Sequence, residues 1–164
     1  MERTQAIKLK PINVEKMIFA EKEIVRYVQS TSFQEELSSF GKSVVTANAN
    51  LLCQTKTISI KKSSRIYKLD PQIEDDVLCV GGRLRNAPLS KEAKNPYILP
   101  NSHHISILKV HHYHLISGHS GLKHVPSHVR ERFWIIGAKA TLRRILYRCV
   151  SIKKRQALVK RWQT

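Results

Sequence analysis

Apolar residues recur at helical spacing in the first part of this chain of 164 residues. Residues 14–29 place apolar side chains every three to four positions, which is the period of an amphipathic helix. Residues 33–40 repeat that spacing over a shorter stretch and predict a second helix that ends at Gly41. The polar residues 46–64 show no such period and are typical of a linker. We therefore predict an N-terminal helical segment and linker over residues 1–64.

The middle of the chain, residues 65–98, is typical of extended structure. Residues 66–69 and 77–80 are short runs of β-forming side chains, and residues 70–76 between them have the composition of a turn. The glycine pair 81–82 then indicates a bend. This pattern predicts a small antiparallel hairpin.

The last third of the chain returns to helical spacing. We predict three helices, near residues 104–117, 122–132 and 139–149, around a short apolar stretch at 133–136. The side chains that share one face of the first of these helices are Ile105, Leu108, His112 and Leu115. Cys149 continues the apolar spacing of the third helix, so we expect it to face the core. The fold class is therefore mainly α with a small β-hairpin region, that is α+β.

The charge of the chain is strongly positive and unevenly distributed. Lysine and arginine number 29 against 12 acidic residues, and residues 101–164 hold 13 basic residues and a single acidic one, Glu131. Such an excess attracts polyanions, of which nucleic acid is the commonest. We predict non-specific contacts to DNA from the cations on and after the third helix, which are Arg143, Arg144, Arg148, Lys153, Lys154 and Arg155. The alternative is a solvated surface, or one that packs on an acidic partner domain.

Several classes of protein are excluded by the same composition. The three cysteines have no framework spacing, which argues against a disulfide-stapled secreted fold and indicates a reducing, intracellular setting. No run approaches the roughly 18 apolar residues that a spanning helix needs, so we expect no membrane association. Residues 1–11 lack the apolar region of a secretory signal.

Candidate chemistry is concentrated in one cluster, since all eight histidines lie between His103 and His128. His114 and His119 are separated by four residues, one of which is Gly118, and Cys149 follows at the end of the third helix. A structural zinc site takes four nitrogen or sulfur donors and favours ligands paired at short spacing. His-x4-His followed by Cys-x2-Cys would supply all four.

The fourth ligand position of that pattern is occupied by Ile152, which cannot bind a metal. The sequence therefore predicts a zinc site with three protein ligands. Water, or a neighbouring imidazole, would fill the remaining position. The candidate imidazoles are His111, His112 and His124. The histidines that we expect at the surface are His103, His104 and His128.

A longer pattern surrounds these ligands. Its elements are Leu99-Pro100, His103-His104, His114-x4-His119-Ser120-Gly121, Val129-Arg130, Phe133-Trp134-Ile135, Leu142-Arg143, Cys149-x2-Ile152 and Arg155-Gln156-Ala157. Upstream elements are Ala20-Glu21, Val28-Gln29, Phe33, Leu69-Asp70 and Val80-Gly81-Gly82-Arg83-Leu84. The first set resembles the HHCC zinc-binding domain of retroelement integrases. The second is similar to the segment that precedes this domain in polyproteins of BEL/Pao retrotransposons.

This resemblance implies a three-helix zinc-binding module over residues 99–158, followed by a basic tail at 159–164. In the family the module assists DNA binding and integrase multimerisation, so the implied partners are DNA and either the parent integrase core or a second copy. The family's RNase-H-like catalytic core, with two aspartates and a glutamate, is not contained in this chain. We therefore expect neither an enzyme activity nor a small-molecule substrate. Two positions depart from the family pattern, since Ile152 replaces a cysteine and Cys79 replaces an arginine.

Two other interpretations remain at the level of sequence. In the first, the chain is a decayed copy of such an element and has no activity. In the second, it is a hydrolase or transferase with a catalytic zinc on His114, His119 and Cys149. A catalytic zinc keeps one position open for water, which fits three protein ligands. It also needs a general base within reach, and the last third of the chain offers only Glu131.

Overall fold

The computed structural model describes residues 12–38, 56–57, 60–82, 84 and 86–161. The helices in this part of the chain are α1 (Val14–Ser32), α2 (Gln34–Ser38), α3 (Lys91–Lys94), α4 (His104–Ile116), α5 (His124–Arg130), α6 (Ala138–Arg148) and α7 (Val150–Arg161). The strands are β1 (Lys56–Thr57), β2 (Pro71–Glu74), β3 (Val77–Val80), β4 (Tyr97–Leu99) and β5 (Phe133–Ile135). The predicted α+β class is confirmed. The predicted helix end at Gly41 and most of the predicted linker lie outside the described residues.

Strands β2 and β3 form a small antiparallel hairpin, as predicted, with Glu74 paired to Val77 across a two-residue turn. The predicted turn at 70–76 is wrong, however, because residues 71–74 are the first strand of this hairpin. Asp75 and Asp76 have φ of 48° and 59°. Two consecutive positive φ angles indicate a type I′ turn, whose twist matches that of paired strands. The predicted extended run at 66–69 is wrong, because Tyr67–Leu69 is a short 3-10 helix. Local bonds such as Leu69 N–H to the Ile66 carbonyl, at 2.9 Å, satisfy its backbone.

The sheet extends beyond the hairpin in the order β1-β2-β3-β4-β5. The apolar stretch predicted between two helices is itself a strand, β5, which pairs in parallel with β4. A parallel pair needs a crossover connection, and here α4 and α5 provide it. The sheet therefore joins the hairpin region to the helical last third, and Phe133 of β5 lies fully buried between them.

Helix α1 is joined to the sheet by the buried side chain of Gln29. Its Nε2 donates to the carbonyls of Leu78 and Ile98, both at 2.8 Å, and its Oε1 accepts from the Leu78 N–H at 2.7 Å. Backbone pairing between β3 and β4 is limited to Cys79 opposite Tyr97. The Gln29 amide therefore satisfies strand groups that would otherwise lack partners in the interior.

The three helices predicted for the last third are present as α4, α5 and α6, and their core forms around Phe133. The buried residues of this core are Val25, Val28, Val77, Leu99, Val110, Val125, Val129, Phe133, Ile135 and Leu142. The apolar face predicted for α4 is not its packed face. The helix buries Ser106, Val110 and His114 instead, because that side lies against α5 and α6. Leu108 and Leu115 are almost half exposed. A fourth helix, α7, was not predicted; it covers residues 150–161 and so includes the first part of the predicted basic tail.

Candidate metal centre

His114, His119 and Cys149 converge on one point near the end of α4. Nε2 of His114 lies 3.3 Å from Nδ1 of His119, which lies 3.3 Å from Sγ of Cys149. All three ligand atoms lie within 4.8 Å of one another. These three residues can hold a metal ion, as their spacing predicted.

The end of α4 brings the two histidines together. The N–H of Gly118 bonds to the carbonyl of Leu115 at 3.0 Å, and the N–H of His119 bonds to the carbonyl of His114 at 2.9 Å. With Gly118 at a φ of 62°, these two bonds form a Schellman motif. In this motif the residue after the glycine, His119, lies beside the residue five positions earlier, His114. The two imidazole rings accordingly lie 5.0 Å apart, centre to centre.

His114 is held in one orientation by the loop that follows. Its Nδ1 lies 3.0 Å from the backbone carbonyl of Ser120. A carbonyl only accepts, so Nδ1 carries the proton and the lone pair of a neutral ring is on Nε2. Metal-binding histidines are commonly fixed by such a bond from the second ring nitrogen. His114 is buried, with 1% of its surface exposed, so this orientation does not depend on solvent.

Cys149 lies between α6 and α7, which corrects the expectation that it faces the core as part of the third helix. Its N–H bonds to the carbonyl of Leu146 at 3.1 Å and ends α6. Its own carbonyl accepts from the N–H of Lys153 at 3.2 Å, so Cys149 also begins α7. Cys149, which is half buried, thus lies at the N-terminus of a 12-residue helix.

Within the described residues, no fourth histidine, cysteine or carboxylate joins this group. Ile152 lies in the first turn of α7 and offers no donor atom. The three histidines predicted as possible fourth ligands, His111, His112 and His124, are all exposed. Of the three histidines expected at the surface, His104 and His128 are exposed, whereas His103 is half buried and caps α4 through Nδ1, 3.2 Å from the Ile105 N–H.

The predicted basic residues of α6 and α7 are exposed. Five of them, Arg143, Arg144, Arg148, Lys153 and Lys154, take part in none of the ion pairs formed among the described residues. The structure adds an aromatic residue that the sequence reasoning missed. Tyr147 is 78% exposed, and the ammonium of Lys153 lies 5.1 Å from its ring centre. Its position next to Arg148 in the sequence was the signal that could have identified Tyr147 as part of this surface.

Arg155 differs from the other five cations. One terminal nitrogen of its guanidinium donates to the carbonyls of Gly118 and His119, at 3.1 Å each. It therefore contacts the loop that carries a metal ligand. Nothing in the local sequence indicated this contact, because Gly118 and His119 lie 37 and 36 positions before Arg155.

No second group of possible metal ligands is present in the described part of the chain. Burial raises the pKa of the Cys79 thiol to about 12, so this cysteine is an inert core residue. No helix within the described ranges is long and apolar enough to cross a membrane. Comparisons of the chain with protein-family models, with curated proteins and with solved structures find no match.

Proposed function

We propose that the last third of the chain is a non-catalytic zinc-binding module of the retroelement integrase type, which binds DNA without sequence specificity. The convergence of His114 Nε2, His119 Nδ1 and Cys149 Sγ carries this proposal. The resemblance to BEL/Pao integrases adds the roles in DNA integration and in multimerisation, with the parent integrase core or a second copy as partner.

Zinc is the metal that this donor set favours. Two imidazole nitrogens and one thiolate suit a borderline-soft ion, whereas magnesium and calcium prefer oxygen ligands. When bound, zinc supplies a cross-link between the end of α4 and the junction of α6 with α7. Such a link suits a small helical core in a reducing compartment, where disulfides do not persist.

The surface of α6 and the start of α7 supports binding to DNA. Its cations are exposed and have no acidic partner among the described ion pairs, so they are free to contact phosphates. Tyr147 adds an exposed ring on which a base can stack. We assign no catalytic role, since the metal group includes no carboxylate among the described residues and Glu131 is exposed.

The metal content of the purified protein tests this function. We expect about one zinc per chain by elemental analysis, and a loss of helical circular dichroism on chelation, because metal binding in small modules is coupled to folding. Cys149→Ser and His119→Ala should abolish stoichiometric zinc, whereas His128→Ala, which changes an exposed histidine outside the group, should retain it. A wild-type protein that binds no zinc, or equal zinc content in all variants, would refute the proposal.

A further inference from the structure

Arg155 connects α7 to the loop that carries His119. Its guanidinium donates to two successive carbonyls, those of Gly118 and His119. We propose that Arg155 is a positioning residue for the metal centre and not a contact to DNA. This inference rests on the proposed function, because it concerns the same metal site.

The loop that Arg155 holds is conformationally demanding. Gly118 and His119 both have positive φ, 62° and 58°. Glycine adopts this region freely, but a residue with a Cβ does so at a cost in free energy. The carbonyls of both residues accept from one cation, and charge-assisted hydrogen bonds are stronger than neutral ones. Arg155 therefore stabilises the loop in the conformation that directs Nδ1 of His119 toward Cys149.

Helix α7 takes part in the same contact. Lys153, Lys154 and Leu158 are exposed, and of the α7 residues whose burial is described only Ser151 and Ile152 are half buried. Among its described side chains, only that of Arg155 forms hydrogen bonds to another element. α7 is also attached at its start, where the backbone carbonyl of Cys149 accepts the first hydrogen bond of the helix. A metal ion on Cys149 would thus hold the start of the segment that Arg155 ties to the loop by hydrogen bonds.

Two attachments on one segment are thermodynamically linked. If zinc favours the docked position of α7, then the Arg155 contact must favour zinc by the same factor. Removal of the contact should therefore weaken zinc binding without removing any metal ligand. Changes around metal ligands of this kind commonly cost 10- to 100-fold in affinity.

The test compares zinc affinity in four proteins: wild type, Arg155→Ala, Arg155→Lys and Lys154→Ala. Affinity is measured by competition with a chromophoric chelator, and the absorption spectrum of the Co²⁺ form reports the ligand geometry. We expect Arg155→Ala to bind one zinc about 10-fold more weakly, with an altered Co²⁺ spectrum. Arg155→Lys should recover part of the affinity. Lys154→Ala, an exposed neighbour on the same helix, should match the wild type.

The same proteins, saturated with zinc, are then titrated with DNA over a salt series. We expect Lys154→Ala to lower the salt slope by about one unit and Arg155→Ala to leave it unchanged. Wild-type zinc affinity in Arg155→Ala would overturn the inference, as would a lowered salt slope in that variant. A wild-type protein that binds no zinc would instead refute the proposed function, so the two failures are distinguishable.

Discussion

His114 donates a hydrogen bond from Nδ1 to the backbone carbonyl of Ser120, and this bond leaves Nε2 directed at the other two ligands. His114 is therefore both a structural residue and a candidate ligand. His119 is half buried and lies in the loop, and its ring contacts only the other members of the metal group in the described hydrogen bonds. The two histidines should respond differently to substitution.

We expect His114→Ala to destabilise the metal-free protein by about 2 kcal/mol, because it removes a buried ring and leaves the Ser120 carbonyl without its partner. His119→Ala should change the metal-free stability by less than about 1 kcal/mol. Both variants should lose the stabilisation by zinc. Urea unfolding, with chelator and with excess zinc, measures these differences. Equal metal-free stability of the two variants would contradict the role given to the Ser120 bond.

Ile152→Cys should raise zinc affinity. Residues three apart on a helix lie on the same side, so a cysteine at 152 places a fourth donor near Cys149. A complete tetrahedral set should bind zinc at least about 10-fold more tightly. Ile152→Ala is the matched control, since it removes the same apolar side chain without adding a donor. If both substitutions change the affinity equally, position 152 does not face the metal.

The two described cysteines should differ in reactivity. At pH 8 a thiol with a pKa of about 12 is ionised in only about one molecule in ten thousand, so Cys79 should resist alkylation until the protein unfolds. Cys149 should react in the native protein and become protected by zinc. Mass spectrometry of peptides from a Cys53→Ser protein, labelled with and without zinc, measures both. Zinc-independent labelling of Cys149 would exclude it as a ligand.

The approach of His114 to His119 in the candidate metal centre could be predicted from the sequence, because its causes are local. Gly118 specifies the positive φ of the Schellman motif, and that motif alone brings His119 to His114. The positions of α4, α5 and α6 followed from periodicity in the same way. By contrast, the contact of Arg155 with the loop could not be predicted, because it depends on how α7 packs.

Periodicity also failed where long-range pairing decides the structure. The apolar residues 133–136 are too few to distinguish a strand from a core segment, and only their pairing with β4 makes them a strand. The run at 66–69 has β-forming residues but forms a 3-10 helix. Asp70, whose φ is 45°, ends this helix, and strand β2 begins only after it. The role of Gln29 could not be predicted either, because its partners are 49 and 69 positions away.

Gln29→Ala should be among the most destabilising substitutions in the chain. It leaves three buried backbone groups of β3 and β4 without a partner, at a cost of about 1 kcal/mol or more for each. We expect a loss of about 3 kcal/mol or more in the free energy of unfolding, measured with urea. Gln34→Ala, at an exposed position of α2, is the control and should change it by less than about 0.5 kcal/mol. Similar losses in both variants would show that the Gln29 bonds do not stabilise the sheet.

The basic surface of α6 and α7 should bind DNA through phosphates. The test protein has Arg143, Arg144, Lys153 and Lys154 all changed to alanine. The matched control removes four exposed cations from the segment before the hairpin, Lys61, Lys62, Arg65 and Lys68, and so has the same net charge. We expect the wild type to bind with a dissociation constant of about 10⁻⁴–10⁻⁶ M, as is typical of non-specific association.

Each lost phosphate contact should reduce the slope of log affinity against log salt by about 0.9. If all four side chains contact phosphates, the slope of the test protein should fall by between about 3 and 4 units, whereas the control should keep the wild-type slope. Fluorescence anisotropy with duplexes of unrelated sequence, over a salt series, gives these values and checks that sequence has no effect. Equal slopes in all three proteins would show that this surface is solvated or packs on another protein. Equal losses in the test protein and the control would attribute binding to net charge alone.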